Sequence, residues 1–242
     1  MTGPILDIQS DAEALAAHAA DWLIERAASK SGPFAVCLSG GSTPRRLYQL
    51  LAAAPRRARF PWERTHWFWG DERFVPHDDP ASNYRMVREA MLSHVPVAAD
   101  HIHPIRTEGM DAAAAAAGYE ATLKTFYGTD KLDPGRPLFD VVLLGLGTNG
   151  HTASLFPGMR VLQERQRWTG VMTDREAGTR ITLTYPALES SREVAFLVAG
   201  SDKRTVLEKV LAGDPAQPAS AVRPQGTLRF LIDRAAAPAD RL

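Results

Sequence analysis

The chain has only one cysteine among its 242 residues, so it cannot form an internal disulfide. Because structural disulfides are typical of oxidising compartments, we expect a reducing, cytoplasmic setting. Cys37 lies inside the apolar run FAVCL, and we interpret it as a buried structural thiol, not a nucleophile. The first residues also lack a basic segment followed by an apolar one, so we expect no signal peptide.

The sequence has no excess of either charge, since Lys plus Arg and Asp plus Glu both number 28. This balance gives no reason to expect nucleic acid or a membrane surface as a partner. No apolar run approaches the length that spans a bilayer. The chain is long enough to bury a substantial core, and we predict one domain over residues 1–242. The sequence leaves the oligomeric state open, a monomer included.

Helical and strand-like patterns alternate along the chain. Ser10 and Glu13 match an S-x-x-E capping box, which predicts a helix from there to about Ser29. The run FAVCLSG predicts a strand, and PRRLYQLLAA predicts a helix with Thr43 as its N-cap and Pro44 at its first position. A second strand is predicted at THWFWGDE.

The second half of the chain continues the alternation. Ser82 is the predicted cap of helix NYRMVREAML, and Ser201 the predicted start of helix DKRTVLEKVLAG. A further helix is predicted at DAAAAAAGYEATLKTFYG, and further strands at FDVVLLGLG, ITLTYP, EVAFLVAG and LRFLID. Alternating strands and helices predict an α/β, Rossmann-like fold: a mostly parallel sheet with helices on both faces.

Four polar loops each follow the end of a predicted strand. They are residues 39–44 (SGGSTP), 70–76 (GDERFVP), 145–157 (GLGTNGHTASLFP) and 200–203 (GSDK). In an open parallel sheet, ligands bind beyond the carboxyl ends of the strands. If these strands are parallel, the four loops lie at one edge and can surround a single small molecule.

The loop SGGSTP has the features of a phosphate cradle. Gly40 and Gly41 let the backbone approach a ligand closely, and Ser42 and Thr43 offer hydroxyl and amide groups at the start of a helix. No G-K-[ST] follows, so the loop is not a Walker A motif. A tight strand-to-helix turn with a good cap is the alternative interpretation.

Two cations follow other strands. Arg73 stands where a guanidinium can fork onto a phosphate or a carboxylate, although a local ion pair with Asp71 or Glu72 is an alternative. Lys203 lies near the start of a helix, where a cation is unfavourable unless an anion binds beside it. An exposed lysine without a ligand is the alternative there.

His151 is the best candidate for a catalytic residue, and we also predict catalytic roles for Arg73 and Asn149. It follows a glycine-rich turn at a strand end, close to Asn149, and histidine serves as a general base near neutral pH. His101 and His103 form an H-x-H pair with no third ligand at a useful spacing, so we predict no metal site. We interpret the remaining histidines as surface or core residues: His18, His66, His77 and His94.

Gly145, Gly147 and Gly150 literally match the dinucleotide fingerprint G-x-G-x-x-G. That motif requires a long helix directly after the turn, and Pro157 followed by glycine comes too soon for one. Asp174 lies near the distance expected for a ribose-binding acid, which keeps NAD as an alternative.

Taken together, the motifs SGGSTP, GDERFVP, SNYRM, GHTASLFPG, RITLTYPAL and AGSDK resemble the 6-phosphogluconolactonase family in this order, over nearly the whole chain. The loop SGGSTP is shared with the related glucosamine-6-phosphate deaminases. The resemblance implies a Rossmann-like fold of the sugar-phosphate deaminase and isomerase type. It also implies hydrolysis of 6-phospho-D-glucono-1,5-lactone in the oxidative pentose phosphate pathway, without a metal or an organic cofactor.

The resemblance also implies roles for individual residues. His151 matches the family's catalytic histidine, Arg73 the arginine of its G-D-E-R motif, and Lys203 its phosphate-binding lysine. Gly40, Gly41, Ser42 and Thr43 match its phosphate loop. The family usually has aspartate where this chain has Asn149, so we expect activity with an altered pH profile.

The expected mechanism uses His151 to take a proton from water as the water attacks C1 of the lactone. Backbone N–H groups of a glycine-rich loop or a nearby cation then stabilise the oxyanion. Two other functions are alternatives: a glucosamine-6-phosphate deaminase, which Asn149 disfavours, and a non-catalytic sugar-phosphate sensor. Such sensors carry a DNA-binding module, which we do not expect here because the charge is balanced and the domain starts at once.

Overall fold

The computed structural model describes residues 3–241 and contains two sheets. All neighbouring strands of the larger sheet are parallel. In spatial order this sheet consists of β1 (Ile5–Gln9), β10 (Thr227–Asp233), β9 (Ser191–Val198), β6 (Phe139–Gly145), β2 (Phe34–Leu38), β3 (Thr65–Trp69) and β5 (Ile102–His103). The smaller sheet is antiparallel, in the order β4 (Asp71–Arg73), β8 (Gly178–Leu183) and β7 (Thr169–Asp174).

Helices connect and cover the strands, as the alternating pattern predicts. They are α1 (Ala12–Ala28), α2 (Ser42–Ala52), α3 (Arg56–Arg59), α4 (Asn83–Ala90), α5 (Ala112–Tyr127), α6 (Tyr185–Glu189) and α7 (Arg204–Leu211). Short 3-10 turns at Arg160–Gln163 and Ser201–Lys203 lie in two of the polar loops or directly after them. The predicted class, an α/β Rossmann-like fold with a mostly parallel sheet, is confirmed.

Of the three predicted helix caps, two are wrong and one is confirmed. The N-cap of α1 is Asp11, whose Oδ1 accepts from the amide of Ala14 at 2.8 Å, so Ser10 and Glu13 do not form a capping box. Thr43 does not cap α2, because that helix already begins at Ser42. Ser82 does cap α4, and its hydroxyl accepts from the amide of Arg85.

The smaller sheet was not expected from the sequence. Of the predicted strand ITLTYP, only Ile181–Leu183 lies in a strand, β8, and Tyr185 already begins α6. Strand β8 pairs antiparallel with β4 and β7 instead of joining the main sheet. Gly70 joins the two sheets, because its N–H donates to Leu38 of β2 at 2.9 Å and its carbonyl accepts from Leu183 of β8 at 2.8 Å. The chain therefore leaves β3 and enters the smaller sheet without an intervening loop.

Strands at the centre of the main sheet are covered on both faces. Every residue of β2 is buried, as is typical of a parallel strand between two helical layers. Cys37 is fully buried in this strand, and burial raises the pKa of its thiol well above the ordinary range. This placement fits the structural thiol expected from the sequence. The prediction of a single domain stays a prediction.

Neither a membrane span nor a metal cluster occurs in residues 3–241. No helix there is long and apolar enough to cross a bilayer. His66, His101 and His103 pack together at the β3–β5 edge, with His66 Nδ1 at 3.1 Å from His103 Nε2. Within the described range, however, no group of three or more His, Cys, Asp or Glu residues is arranged to hold a metal ion.

Two buried tyrosines hold the ends of the central strands β2 and β3. The hydroxyl of Tyr48 accepts from the amide of Ser39 at 3.0 Å and donates to its carbonyl at 2.8 Å. The hydroxyl of Tyr119 does the same for Trp69, at 2.8 Å and 2.9 Å. Each hydroxyl thus replaces the ladder partner that the backbone loses where two loops separate.

We expect Tyr48→Phe to lower the free energy of unfolding by about 1–3 kcal/mol, because both backbone groups of Ser39 would stay buried without a partner. Urea denaturation measures the loss, and the slope of the transition should not change. Tyr84→Phe is the matched control, since the Tyr84 hydroxyl makes no hydrogen bond within residues 3–241. Equal stability of the two variants would contradict this account.

Candidate active site

The four polar loops predicted from the sequence meet in one cavity. They follow β9, β6, β2 and β3, which are consecutive neighbours in the sheet, and the segment after β3 begins with the short strand β4 instead of a loop. The cavity has a volume of about 290 Å³, at the small end of the range for small-molecule sites. Its lining includes Gly40, Gly41, Ser42, Thr43, Asp71, Arg73, Asn83, Gly147, His151, Ala153, Arg180 and Lys203.

The backbone of SGGSTP forms one end of this cavity. A Cβ at Gly40 would collide with the side chain of Asn83, and Gly41 has a φ of +108°, which favours glycine. Helix α2 starts directly afterwards without a side-chain cap. The amides of Ser42 and Thr43 therefore have no intrahelical acceptor, and they point to the region where the helix dipole favours an anion.

Arg73 and the SGGSTP loop both contact Asn83. The Nη1 of Arg73 donates to the carbonyl of Ala81 at 2.7 Å and to Oδ1 of Asn83 at 2.8 Å. Arg73 makes no ion pair with any acid in residues 3–241. Its charge is therefore available to an anionic ligand, and the alternative of a local ion pair with Asp71 or Glu72 is wrong.

Glu72 has a structural role at this corner. Its carboxylate accepts from the amides of Arg73, Asn83 and Tyr84 at 2.7–2.8 Å, and its side chain is almost fully buried. Burial raises the pKa of Glu72, while these backbone donors lower it. The carboxylate holds β4 against the start of α4, which fixes the positions of both Arg73 and Asn83.

Lys203 is placed on a 3-10 turn before α7 and is only partly neutralised. The helix that was predicted to begin at Ser201 begins at Arg204 instead, after this turn. The Nζ of Lys203 lies 3.4 Å from the exposed carboxylate of Asp202, and the lysine lines the cavity. The turn itself is held by Asp233 of β10, whose carboxylate oxygens accept from the amide of Gly200 at 3.1 Å.

Asn149 does not line the cavity but fixes the tautomer of His151. Its Oδ1 accepts from the backbone N–H of His151 at 3.2 Å and lies 2.6 Å from Nδ1 of the ring. A backbone N–H can only donate, so the atom facing it is the oxygen. Nδ1 therefore carries the proton, and Nε2 is left as the unprotonated nitrogen.

The imidazole of His151 is kept neutral by its surroundings. The ring is half-buried and stacks on Phe156, with a centroid distance of 4.1 Å. Burial, together with the smaller effects of the charges of Arg180, Lys203 and Arg73, lowers the pKa of His151 to about 4, whereas Asp71 opposes them. At neutral pH the ring is consequently a free base, as a proton acceptor must be.

The glycines of the G-x-G-x-x-G match shape the loop around this ring. A Cβ at Gly147 would collide with the His151 imidazole, and Gly150 has a φ of +79°. No α-helix follows before β7; the chain makes only a 3-10 turn at Arg160–Gln163. The prediction that Pro157 excludes the long helix of a dinucleotide site is confirmed.

Asp71 and Arg180 belong to the cavity although the sequence did not single them out as site residues. Asp71 is buried, accepts from the hydroxyl of Ser154 at 2.6 Å and lies 3.9 Å from Nη1 of Arg180. Arg180 comes from the antiparallel strand β8, and burial and the charge of Arg73 lower the pKa of its guanidinium. A guanidinium stays protonated all the same, because its ordinary pKa exceeds 12.

Comparison with known proteins shows the family of this chain. Residues 10–230 match the model of the glucosamine-6-phosphate isomerases/6-phosphogluconolactonase family. A 6-phosphogluconolactonase of Nostoc sp. is 42% identical over 238 residues, covering 96% of each chain. The structure of 6-phosphogluconolactonase from Trypanosoma brucei superposes with a TM-score of 0.82 at 30% identity and covers 100% of both chains.

A monomeric glucosamine-6-phosphate deaminase has the same fold, with a TM-score of 0.82 at 22% identity, over 96% of this chain and 98% of that one. At this identity the likeness extends to the fold alone. The family match covers most of the residues, and the curated relative matches along nearly the whole length of both chains. This chain is a member of the glucosamine-6-phosphate isomerase/6-phosphogluconolactonase family.

Proposed function

We propose that this protein hydrolyses 6-phospho-D-glucono-1,5-lactone to 6-phosphogluconate in the oxidative pentose phosphate pathway. One observation carries this function: a neutral histidine with a free Nε2 shares a small cavity with three cations and a helix N-terminus. The relatives named 6-phosphogluconolactonase, which match at up to 42% identity over 96% of the chain, support the same substrate. A cytoplasmic location stays a prediction from the single cysteine.

The phosphate of the substrate would bind at the SGGSTP end of the cavity. The amides of Ser42 and Thr43, the side chain of Lys203 and the guanidinium of Arg73 offer donors and positive charge there. Binding of the phosphate fixes the lactone ring at its other end, where the carbonyl carbon faces His151. Phosphate binding and the chemical step are thereby assigned to different residues of one cavity.

His151 would act as a general base through Nε2. It removes a proton from a water molecule while the water oxygen attacks C1 and forms a tetrahedral intermediate. When the C1–O5 bond breaks, the same nitrogen returns the proton to O5. Asn149 would act as a positioning residue, because it holds the proton on Nδ1 without touching the substrate.

The function is tested by generating the lactone with glucose-6-phosphate dehydrogenase and following acid release above the spontaneous background. We expect acceleration of acid release, and no ammonia from glucosamine 6-phosphate. Ammonia release would favour the deaminase of the same fold. Binding of 6-phosphogluconate without any turnover would favour a non-catalytic sensor. Either result would overturn the proposed function.

We expect His151→Ala to lower kcat by about 10²–10⁴-fold, the usual contribution of a positioned general base. The KM for the lactone should change little, since the phosphate donors are elsewhere in the cavity. His77→Ala is the control, because His77 bonds the carbonyl of Ile105 outside the cavity. Retained activity in His151→Ala would remove this residue from the mechanism.

Replacing the neutral amide of Asn149 by a carboxylate should shift the pH profile of kcat/KM. In Asn149→Asp, a negative charge next to Nδ1 stabilises the protonated ring and raises the pKa of His151 from about 4, by roughly one unit. Protonated His151 is inactive, so the acidic limb of kcat/KM should shift to higher pH. Asn149→Ala should instead lower kcat without raising that limb, because only the tautomer is lost.

A profile of Asn149→Asp that coincides with the wild type would refute the electrostatic role of position 149. Because Asn149 is exposed, the shift should also shrink as the ionic strength rises. Both variants should retain the thermal stability of the wild type, which separates an effect on catalysis from an effect on folding.

A further inference from the structure

The proposed reaction places a negative charge on the carbonyl oxygen of C1 in its transition state. Enzymes that perform acyl transfer stabilise this oxyanion with preorganised donors, and such donors often give the largest single contribution to the rate. Backbone amides of the glycine-rich loop and a nearby cation are the two candidate sources of such donors. The hydrogen bonds that the loop amides and the cavity cations already make favour a cation.

Four amides of the glycine-rich loop at residues 145–157 already have partners, three of them inside the loop. Gly147 donates to the carbonyl of His151 at 2.9 Å, and Gly150 donates to the carbonyl of Gly147 at 2.9 Å. The amide of His151 donates to Asn149, and that of Ser154 donates to the hydroxyl of Thr182 at 3.2 Å. An oxyanion hole from these four amides would need the loop to break its own bonds.

Arg180, by contrast, has donors to spare. Its Nε donates to the carbonyl of Ala177 at 3.1 Å. Its only ion-pair partner in residues 3–241 is Asp71, whose Oδ2 lies 3.9 Å from Nη1 and already accepts from Ser154. A distance of 3.9 Å is too long for a hydrogen bond, so the guanidinium retains N–H groups for a ligand.

The guanidinium is held on the His151 side of the cavity. Its central carbon lies 5.4 Å from the centre of the Phe156 ring, which in turn stacks on the imidazole of His151. Arg73 is instead tied to the phosphate end through Asn83, the residue that packs against Gly40. Although the two arginines lie opposite each other in the β4–β8 pairing, these different partners lead us to assign them to different groups of the substrate.

We propose that Arg180 is a catalytic residue that binds the C1 carbonyl oxygen and stabilises the oxyanion. This inference rests on the proposed lactonase function. As the water oxygen bonds to C1, the π-electron pair of the carbonyl bond moves onto the carbonyl oxygen. The guanidinium of Arg180 compensates the negative charge that this oxygen acquires. The same electron pair re-forms the C=O bond as C1–O5 breaks, and O5 takes its proton from His151. The carboxylic acid product then ionises, and its carboxylate stays paired with Arg180.

Kinetics of three variants test the assignment. Arg180→Gln should lower kcat by about 10²–10³-fold, the effect of removing one oxyanion donor, with little change in KM. Arg180→Lys should recover part of kcat, because a charge is kept without the planar fork. Lys203→Gln is the matched control at the phosphate end, and it should raise KM more than it lowers kcat.

Binding gives a second readout that does not depend on turnover. The product 6-phosphogluconate carries both a phosphate and a carboxylate, whereas glucitol 6-phosphate carries only the phosphate. Measured by calorimetry, Arg180→Gln should lose about tenfold or more in affinity for 6-phosphogluconate and almost none for glucitol 6-phosphate. Lys203→Gln should lose affinity for both compounds.

Normal binding of glucitol 6-phosphate also shows that an Arg180 variant is folded at the site. Equal losses for both ligands in Arg180→Gln would assign Arg180 to the phosphate and overturn the proposal. So would an unchanged kcat in this variant. If the wild-type protein hydrolyses no lactone, the proposed function is wrong. This failure is distinguishable from a failure of the Arg180 proposal, because it is measured on the wild type before any variant is compared.

Discussion

Parallel alignment of the four central strands is the constraint on which the candidate site depends. Since β9, β6, β2 and β3 are neighbours running in one direction, their carboxyl ends coincide, and loops separated by more than a hundred residues meet. Each strand end leaves backbone groups without a ladder partner. At the ends of β2 and β3, Tyr48 and Tyr119 supply these partners from the flanking helices, so the loops can separate and leave a cavity between them.

Most of the main sheet follows from local patterns, and so does the part of the cavity built on it. Apolar runs mark β2, β3, β6, β9 and β10, and the segments after four of them contain Gly40, Arg73, His151 and Lys203. The first strand, ILDIQ, was not predicted because it is a short edge strand in which no residue is fully buried, so it lacks the continuous apolar run of the central strands. Helix starts were misplaced where two polar residues compete for the cap, as Ser10 and Asp11 do.

Arg180 was missed for a different physical reason. Its place in the cavity depends on antiparallel pairing between β4 and β8, where Arg73 lies opposite Arg180. Two arginines repel each other, so no sequence pattern favours this register; contacts between segments more than a hundred residues apart impose it. Nearby Asp71 offsets part of the repulsion, and an anionic ligand would offset more.

Asn149 gives the histidine a support that has no protonation state. In a histidine–carboxylate pair the two groups titrate together, and each changes the charge of the other. The amide oxygen of Asn149 accepts the same ring proton, with 2.6 Å between Oδ1 and Nδ1, and the amide remains uncharged as the pH changes. The orientation of the base is thus independent of its ionisation. Acid conditions can protonate Nε2 and inactivate His151 without disturbing the loop that aligns it.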